Sequence, residues 1–220
     1  MNAITPTVSA FRWVPDFARG QVRDLRVRWA LEEAGLPYGA ELLGPGDSAS
    51  AAYRAKQPFG QVPTFQDGDI DMFESGAIVL HIAERSEVLM PADAIGRART
   101  ISWMFAALNT MEPVIQGLGE IDAFHPGEAW TEARRPMVVA RVQQRLAELA
   151  ARLGDNPYLD GDRFTAGDLL MATVLRILGG TDLVQAEPKL DAYLRRCVAR
   201  PAFQRALAAQ LADFVDTPPG

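Results

Sequence analysis

Cysteine is almost absent from this 220-residue chain, where Cys197 stands alone. A single thiol excludes an internal disulfide framework, a thiolate metal cluster and a Cys-x-x-Cys redox pair. Flanked by Arg195, Arg196 and Arg200 on a late helix, it reads as a core or helix-surface thiol. Histidine is nearly as scarce. His81 lies in an apolar helical stretch and His125 precedes Pro126, and neither has a second ligand at metal-binding spacing, so both read as structural. Positive charge is in deficit: 22 Lys and Arg against 28 Asp and Glu leave a net charge of −6, with no basic tail. That balance argues against general affinity for nucleic acid. No apolar run approaches the ~20 residues of a membrane span. Met1 to Phe11 also lacks the basic-then-apolar order of a signal peptide. The expectation is a cytoplasmic protein with no metal, no membrane and no nucleic-acid partner.

What is present suits a globular protein of one large domain or two small ones, with 48% hydrophobic and 23% charged residues. Residues up to about Ser86 alternate strand and helix. Val8 to Trp13 suits a first strand. In Val22 to Ala34 the apolar residues Val22, Leu25 and Trp29 recur at i, i+3, i+7, which predicts a helix. Gly35 stops it and Pro37 prevents its resumption. The dense arginines Arg19, Arg23, Arg26 and Arg28 read mostly as solvated, or as paired with Glu32, Glu33 and other surface acids. Tyr38 to Leu43 is a second strand and Ala51 to Lys56 a short helix. Val62 to Gln66 and Ile70 to Phe73 are strands joined at Asp67-Gly68-Asp69, and Ser75 to Arg85 is a buried helix. Residues 87–95 form a linker. The remainder, 96–220, is helical in pattern: Arg97 to Gly119, Glu128 to Leu153, Ala166 to Leu178, Pro188 to Ala199 and Pro201 to Phe214. Pro113 should kink the first of these, and the tail Asp216 to Gly220 should be frayed.

The motif with most chemistry is Lys56-Gln57-Pro58-Phe59-Gly60-Gln61-Val62-Pro63-Thr64-Phe65, followed by Glu74-Ser75-Gly76-Ala77-Ile78. A proline opening a strand donates no ladder hydrogen bond, which leaves neighbouring backbone groups available to a ligand. Glu74 and Ser75 open an apolar helix, where outward-pointing amides favour an anion. Taken singly, Pro63 is compatible with an ordinary strand-initiating proline and Ser75 with a simple N-cap. Their joint order points to a ligand site.

This order resembles the glutathione S-transferase family, and the resemblance covers nearly the whole chain. It implies a thioredoxin-like α/β domain over residues 1–86, followed by an all-helical domain that contributes the acceptor site. It implies a cis Val62-Pro63 peptide, with Gln61 and Val62 receiving the cysteinyl-glycine part of glutathione, Pro63 setting the loop, and Glu74 with Ser75 holding the γ-glutamyl end. The implied activity is attack of the glutathione thiolate on a small, mostly apolar electrophile, as in detoxification. The acceptor is expected between the domains, against Trp13, Met104, Phe105 and Leu108 and their neighbours Trp103, Asn109 and Met111. The resemblance also implies a homodimer held by an aromatic key, for which Phe65 and Phe73 are candidates.

One family element is missing. Members usually carry a tyrosine, serine or cysteine where the first strand ends or the first helix begins. Here Arg12-Trp13-Val14-Pro15-Asp16-Phe17-Ala18-Arg19-Gly20-Gln21 contains none of these. Aligning Val14-Pro15 with the Cys-Pro of cysteine-type members places a valine at the nucleophile. Thiolate stabilisation would then fall to helix amides and to Arg19 in the loop before the helix. The rivals are a non-catalytic glutathione-binding or scaffold protein of the same fold, and a glutathione-dependent isomerase or dehalogenase. The isomerase branch carries a Ser-Ser-Cys helix start, which is absent here.

Phe164-Thr165-Ala166-Gly167-Asp168-Leu169 invites a catalytic reading of Asp168. Thr165 as N-cap, Asp168 at N3 and Phe164 stapled onto Leu169 instead predict a capping box that folds the helical domain.

Overall fold

The computed structural model describes residues 5–217. Two compact units emerge: one runs to Leu89 and resumes at Pro201, and the other is Met90–Arg200.

The first unit begins β1 (Thr7–Phe11), α1 (Asp24–Ala34), β2 (Gly39–Leu43), α2 (Ala51–Lys56), β3 (Thr64–Asp67), β4 (Ile70–Phe73) and α3 (Ser75–Ala83). Its sheet has the order β2-β1-β3-β4; β1 and β2 run parallel, and the other two pairings are antiparallel. This is a thioredoxin-like α/β arrangement. The α1 crossover makes the parallel pairing possible, since parallel neighbours need a connection long enough to return along the sheet. Gly35 ends α1 with φ 67°, and the Leu36 amide reaches back to the Leu31 carbonyl at 2.9 Å. That left-handed stop is one most side chains resist. The β3–β4 turn closes between Asp67 and Ile70 through Gly68, at φ 63°. β1 ends at Phe11, two residues before the expected end, so Trp13 lies beyond the strand.

All eight residues from Asp24 to Leu31 are buried, so α1 is covered on every side. The expectation of solvated arginines is therefore corrected for Arg26 and Arg28, which are 4% and 1% exposed.

The second unit is helical: α4 (Ala94–Phe105), α5 (Glu112–Gly119), α6 (Ala129–Leu153), α7 (Ala166–Leu175) and α8 (Pro188–Val198). Asp93 caps α4 by accepting from the Gly96 amide at 2.8 Å, so the helix starts inside the expected linker. Between α4 and α5, Ala106–Met111 forms a π-turn in which the Glu112 amide reaches the Ala107 carbonyl, five residues back. Pro113 follows at once. Its missing N–H and ring would break an α-helical ladder, and the wider turn absorbs both. Pro136 lies inside α6, which nevertheless runs unbroken from Ala129 to Leu153, as the sequence pattern predicts.

The capping box is present at α7. Asp168 accepts from the Thr165 amide at 2.9 Å and hydroxyl at 3.1 Å through Oδ2, and from the Leu159 amide at 2.9 Å and the Tyr193 hydroxyl at 3.1 Å through Oδ1. Phe164 is buried and packs its ring edge-on against Tyr158, with the Arg200 guanidinium 4.0 Å from its ring centre. Gly167 lets α7 approach α4 closely, since a Cβ there would stand 2.6 Å from Cβ of Trp103. Cys197 is fully buried on α8, and burial pushes its thiol pKa up, which makes it inert rather than reactive.

The last helix, α9 (Pro201–Ala212), belongs to the first unit, and the boundary expected from sequence is corrected accordingly. Trp29 and Phe203 meet edge to face at 4.8 Å. Gln210 Nε2 donates to Asp24 Oδ1 at 2.6 Å and to the Val22 carbonyl at 3.1 Å. Arg28 bridges Asp24 at 2.8 Å and Asp213 at 2.6 Å, and Arg205 meets Glu32 at 2.6 Å. Helical periodicity could assign α9 to a class but not to a partner. The buried Arg28–Asp24 pair decides the matter, because an ion pair without water must be completed by groups that α9 supplies. The described part of the expected frayed tail ends at Thr217; Pro218 to Gly220 lie outside the described residues.

Candidate functional site

The Val62-Pro63 peptide is cis. Val62 is buried at 8%, and among the described residues its backbone joins none of the backbone hydrogen bonds of turns, loops and caps, while β3 begins only at Thr64. An N–H and a C=O are thus held at a rigid corner without a protein backbone partner. Such groups in a mostly buried setting call for another hydrogen-bonding occupant.

A buried hydroxyl chain fixes that corner. Thr64 donates from its amide to Ser9 Oγ at 2.6 Å and from its hydroxyl at 3.0 Å. Ser9 Oγ lies 2.8 Å from the Tyr53 hydroxyl, which donates to the Gln61 carbonyl at 2.8 Å. Gln61 itself is exposed. Ser50 caps α2 through the Tyr53 amide at 3.1 Å and so sets where Tyr53 stands. Sequence reasoning missed Ser9 and Tyr53, because nothing local to either residue marks the two as partners.

Glu74 and Ser75 stand where expected, at the start of α3. Glu74 is exposed with φ 70° and ψ 109°, the one positive φ among the described non-glycine residues, and its side chain makes no capping bond. A carboxylate residue held this way costs on the order of 1–3 kcal/mol, a strain that accumulates at binding sites. Ser75 is buried, and its hydroxyl accepts from Arg26 Nη1 at 3.3 Å. Arg26, expected to be solvated or paired with a surface acid, therefore brings a guanidinium to the opening of α3.

Between β1 and α1 the chain makes a short 3-10 turn at Asp16–Ala18. Arg19 follows it, five residues before α1 begins. Its guanidinium donates to the Val215 carbonyl at 2.9 Å and lies 3.4 Å from Asp16 and 3.7 Å from Asp216, over the ring of Phe214. The Leu25 and Arg26 amides at the start of α1 already bond the Val22 and Arg23 carbonyls. Trp13 is half-buried. In the helical unit Met104 is buried, Leu108 is half-buried in the π-turn, and Phe105 is 57% exposed, so these three do not share one environment.

The aromatic residues near the hairpin separate clearly. Phe65 is buried at 2%, which corrects its candidacy as an aromatic key. Phe73 is 37% exposed and pairs edge-on at 6.3 Å with Phe59, which is 65% exposed. Of the histidines, His81 sits 3.6 Å from Asp67 and beside the Phe65 ring, while His125 bonds Glu128 at 2.9 Å and faces Trp130. The His125 and Trp130 contacts hold the Glu128 carboxyl below its ordinary pKa.

Comparison with known proteins agrees with this geometry. Residues 17–84 match the family "Glutathione S-transferase, N-terminal domain" and residues 121–196 match "Glutathione S-transferase, C-terminal domain". A glutathione S-transferase of Hyoscyamus muticus is 32% identical over 200 residues, covering 83% of this chain and 92% of that protein. Glutathione S-transferase 4 of Zea mays is 30% identical over 208 residues, covering 90% and 91%. Among solved structures, the theta class glutathione S-transferase of Xanthomonas axonopodis pv. citri with glutathione bound superposes with a TM-score of 0.78. It is 30% identical, with 94% of this chain and 99% of that one covered. A glutathione transferase of Burkholderia graminis, with two glutathione molecules bound per subunit, gives a TM-score of 0.81 at 26% identity, covering 93% and 88%. A cis-proline corner with free backbone groups, a Glu-Ser pair opening α3 and these matches at both ends of the chain lead to one assignment: the chain belongs to the glutathione S-transferase family.

Proposed function

We propose that the protein is a glutathione transferase that binds glutathione at the cis-proline corner and conjugates it to a small, mostly apolar electrophile. The observation that carries this reading is the unpaired Val62 backbone beside the cis peptide, near the strained Glu74 and the buried Ser75. Val62 and Gln61 receive the cysteinyl-glycine portion by backbone pairing. Glu74, Ser75 and the α3 amides receive the charged γ-glutamyl end, where the helix terminus and the Arg26 guanidinium favour a carboxylate. The sulfur of the bound thiolate forms a bond to the electrophilic carbon, the leaving group departs with its electron pair, and the thiol proton goes to solvent. No hydroxyl or thiol side chain lies between Arg12 and Asp24, so thiolate stabilisation falls to backbone amides of that segment. Arg19, anchored on Val215, holds the segment in place. Of Trp13, Met104, Phe105 and Leu108, Phe105 on α4 is the most exposed and is the proposed acceptor-side group of the helical unit. The protein acts as a homodimer, with the exposed Phe59–Phe73 pair as the apolar contact.

The test is calorimetry with glutathione on Glu74→Ala combined with Ser75→Ala. Charge-assisted hydrogen bonds are worth roughly 1.5–3 kcal/mol each, so loss of two should weaken binding at least about tenfold with the fold retained. An unchanged dissociation constant would put the ligand elsewhere. Binding of normal strength by the unaltered protein, with a bound thiol that titrates near the free value of about 8.5, would favour the non-catalytic reading.

A further inference from the structure

We propose that Ser9 and Tyr53 are positioning residues for glutathione, acting through a one-way hydroxyl chain that clamps both sides of the cis-proline corner. The inference rests on the glutathione reading above. Proton accounting fixes the direction of the chain. The Thr64 amide is only a donor and the Gln61 carbonyl only an acceptor. Ser9 Oγ accepts from the Thr64 amide and hydroxyl, filling both of its lone pairs, and its own proton must then go to Tyr53. Tyr53 in turn directs its proton to the Gln61 carbonyl. Each hydroxyl therefore has one orientation, and the residues before and after Val62-Pro63 are tied to the same point on the central strand. Ser9 is 1% exposed, Tyr53 5% and Thr64 6%, so water does not compete for these bonds.

The position of the clamp is what links it to the ligand. Pro63 lacks an N–H, so Thr64 offers the first donor after the corner. The paired β1–β3 register covers Thr7 with Gln66 and Val8 with Phe65, and the side chain of Ser9 takes the place of the next ladder bond. Removing Tyr53's hydroxyl frees the Gln61 carbonyl and lets the Val62 groups drift, while the strands themselves keep their register. Backbone pairing to the cysteinyl part is present in ground and transition states alike. Its loss raises KM and leaves kcat at saturating glutathione unchanged.

Tyr53→Phe, nearly isosteric, and Ser9→Ala are compared with the unaltered full-length protein. Glutathione affinity is measured by calorimetry, thermal midpoint by circular dichroism, and KM for glutathione and kcat with an activated aryl halide by absorbance. Tyr53→Phe is expected to raise both Kd and KM for glutathione about fivefold, the loss of roughly one buried hydrogen bond, with kcat retained. Ser9→Ala, which strands the Thr64 amide as well, should exceed it. Folded Tyr53→Phe with the unaltered Kd overturns the proposal, as does a fall in kcat with constant KM. Should Ser9→Ala fail to fold, Tyr53→Phe decides alone. Absence of glutathione binding by the unaltered protein overturns the functional reading itself, a different result from binding that is insensitive to these two substitutions.

Discussion

Replacing Asp168 by alanine discriminates most sharply between a folding carboxylate and a catalytic one. The side chain is fully buried and accepts from the Leu159 amide, the Thr165 amide and hydroxyl, and the Tyr193 hydroxyl. Alanine removes every acceptor at once. The Thr165 hydroxyl can rotate and Tyr193 has the Asp168 carbonyl within 3.5 Å, but the two amides are fixed by the chain. Stranding buried donors costs about 1–3 kcal/mol each, and the lost cap adds about 1 kcal/mol. Against this, a buried carboxylate is itself unfavourable, as its raised pKa shows, with burial as the cause. The net loss should be about 3–5 kcal/mol, as for breaking a buried charged network. For a chain of this size that lowers the melting temperature by on the order of 10 °C. Urea unfolding followed by circular dichroism reads the loss, and conjugation rate per folded molecule reads the chemistry. A folding role for Asp168 gives a large shift in the first and little in the second. Unaltered stability with collapsed turnover would refute it and make Asp168 a reacting group.

Two further outcomes are expected. Burial raises the Asp24 pKa to about 6, above its ordinary 3.8, even though Arg28 and Gln210 bond the charged form. A carboxyl with a raised folded pKa contributes stability below its unfolded pKa that is lost as pH rises through the folded one. The unfolding free energy of the unaltered protein relative to Asp24→Asn should thus fall between about pH 4 and pH 6. A difference that rises over that range, in a urea titration at several pH values, would contradict the assignment. Phe59→Ala, which deletes the more exposed ring of the Phe59–Phe73 pair, should shift the mass by light scattering from two chains toward one at micromolar concentration. A single-chain mass for the unaltered protein would remove the dimer reading.

Elements whose signals are local were legible in the amino-acid sequence. Gly35 ends α1 because only a glycine takes that left-handed stop easily. Asp67-Gly68-Asp69 turned the hairpin, and Thr165 with Asp168 capped α7. The cis bond at Val62-Pro63 and the helix start at Glu74-Ser75 stand where the order of the motif along the chain places them. Pro113 announced a break, though not that a π-turn would absorb it.

Partnership was decided only by the tertiary structure. Arg23, Arg26 and Arg28 read as solvated or paired with surface acids, yet Arg28 is buried between Asp24 and an aspartate nearly two hundred residues away, and Arg26 reaches Ser75. Arg19 meets the C-terminal segment rather than standing free before α1. Ser9 and Tyr53 carry no pattern in the chain that marks them as a pair, and they meet because β1 and α2 converge on the cis-proline corner. The physical reason is the same in each case. Backbone conformation is biased by residues within a few positions, so periodicity and turn chemistry report it. A buried polar group must instead find its partner wherever the fold has excluded water, and that choice is made only once distant segments have packed.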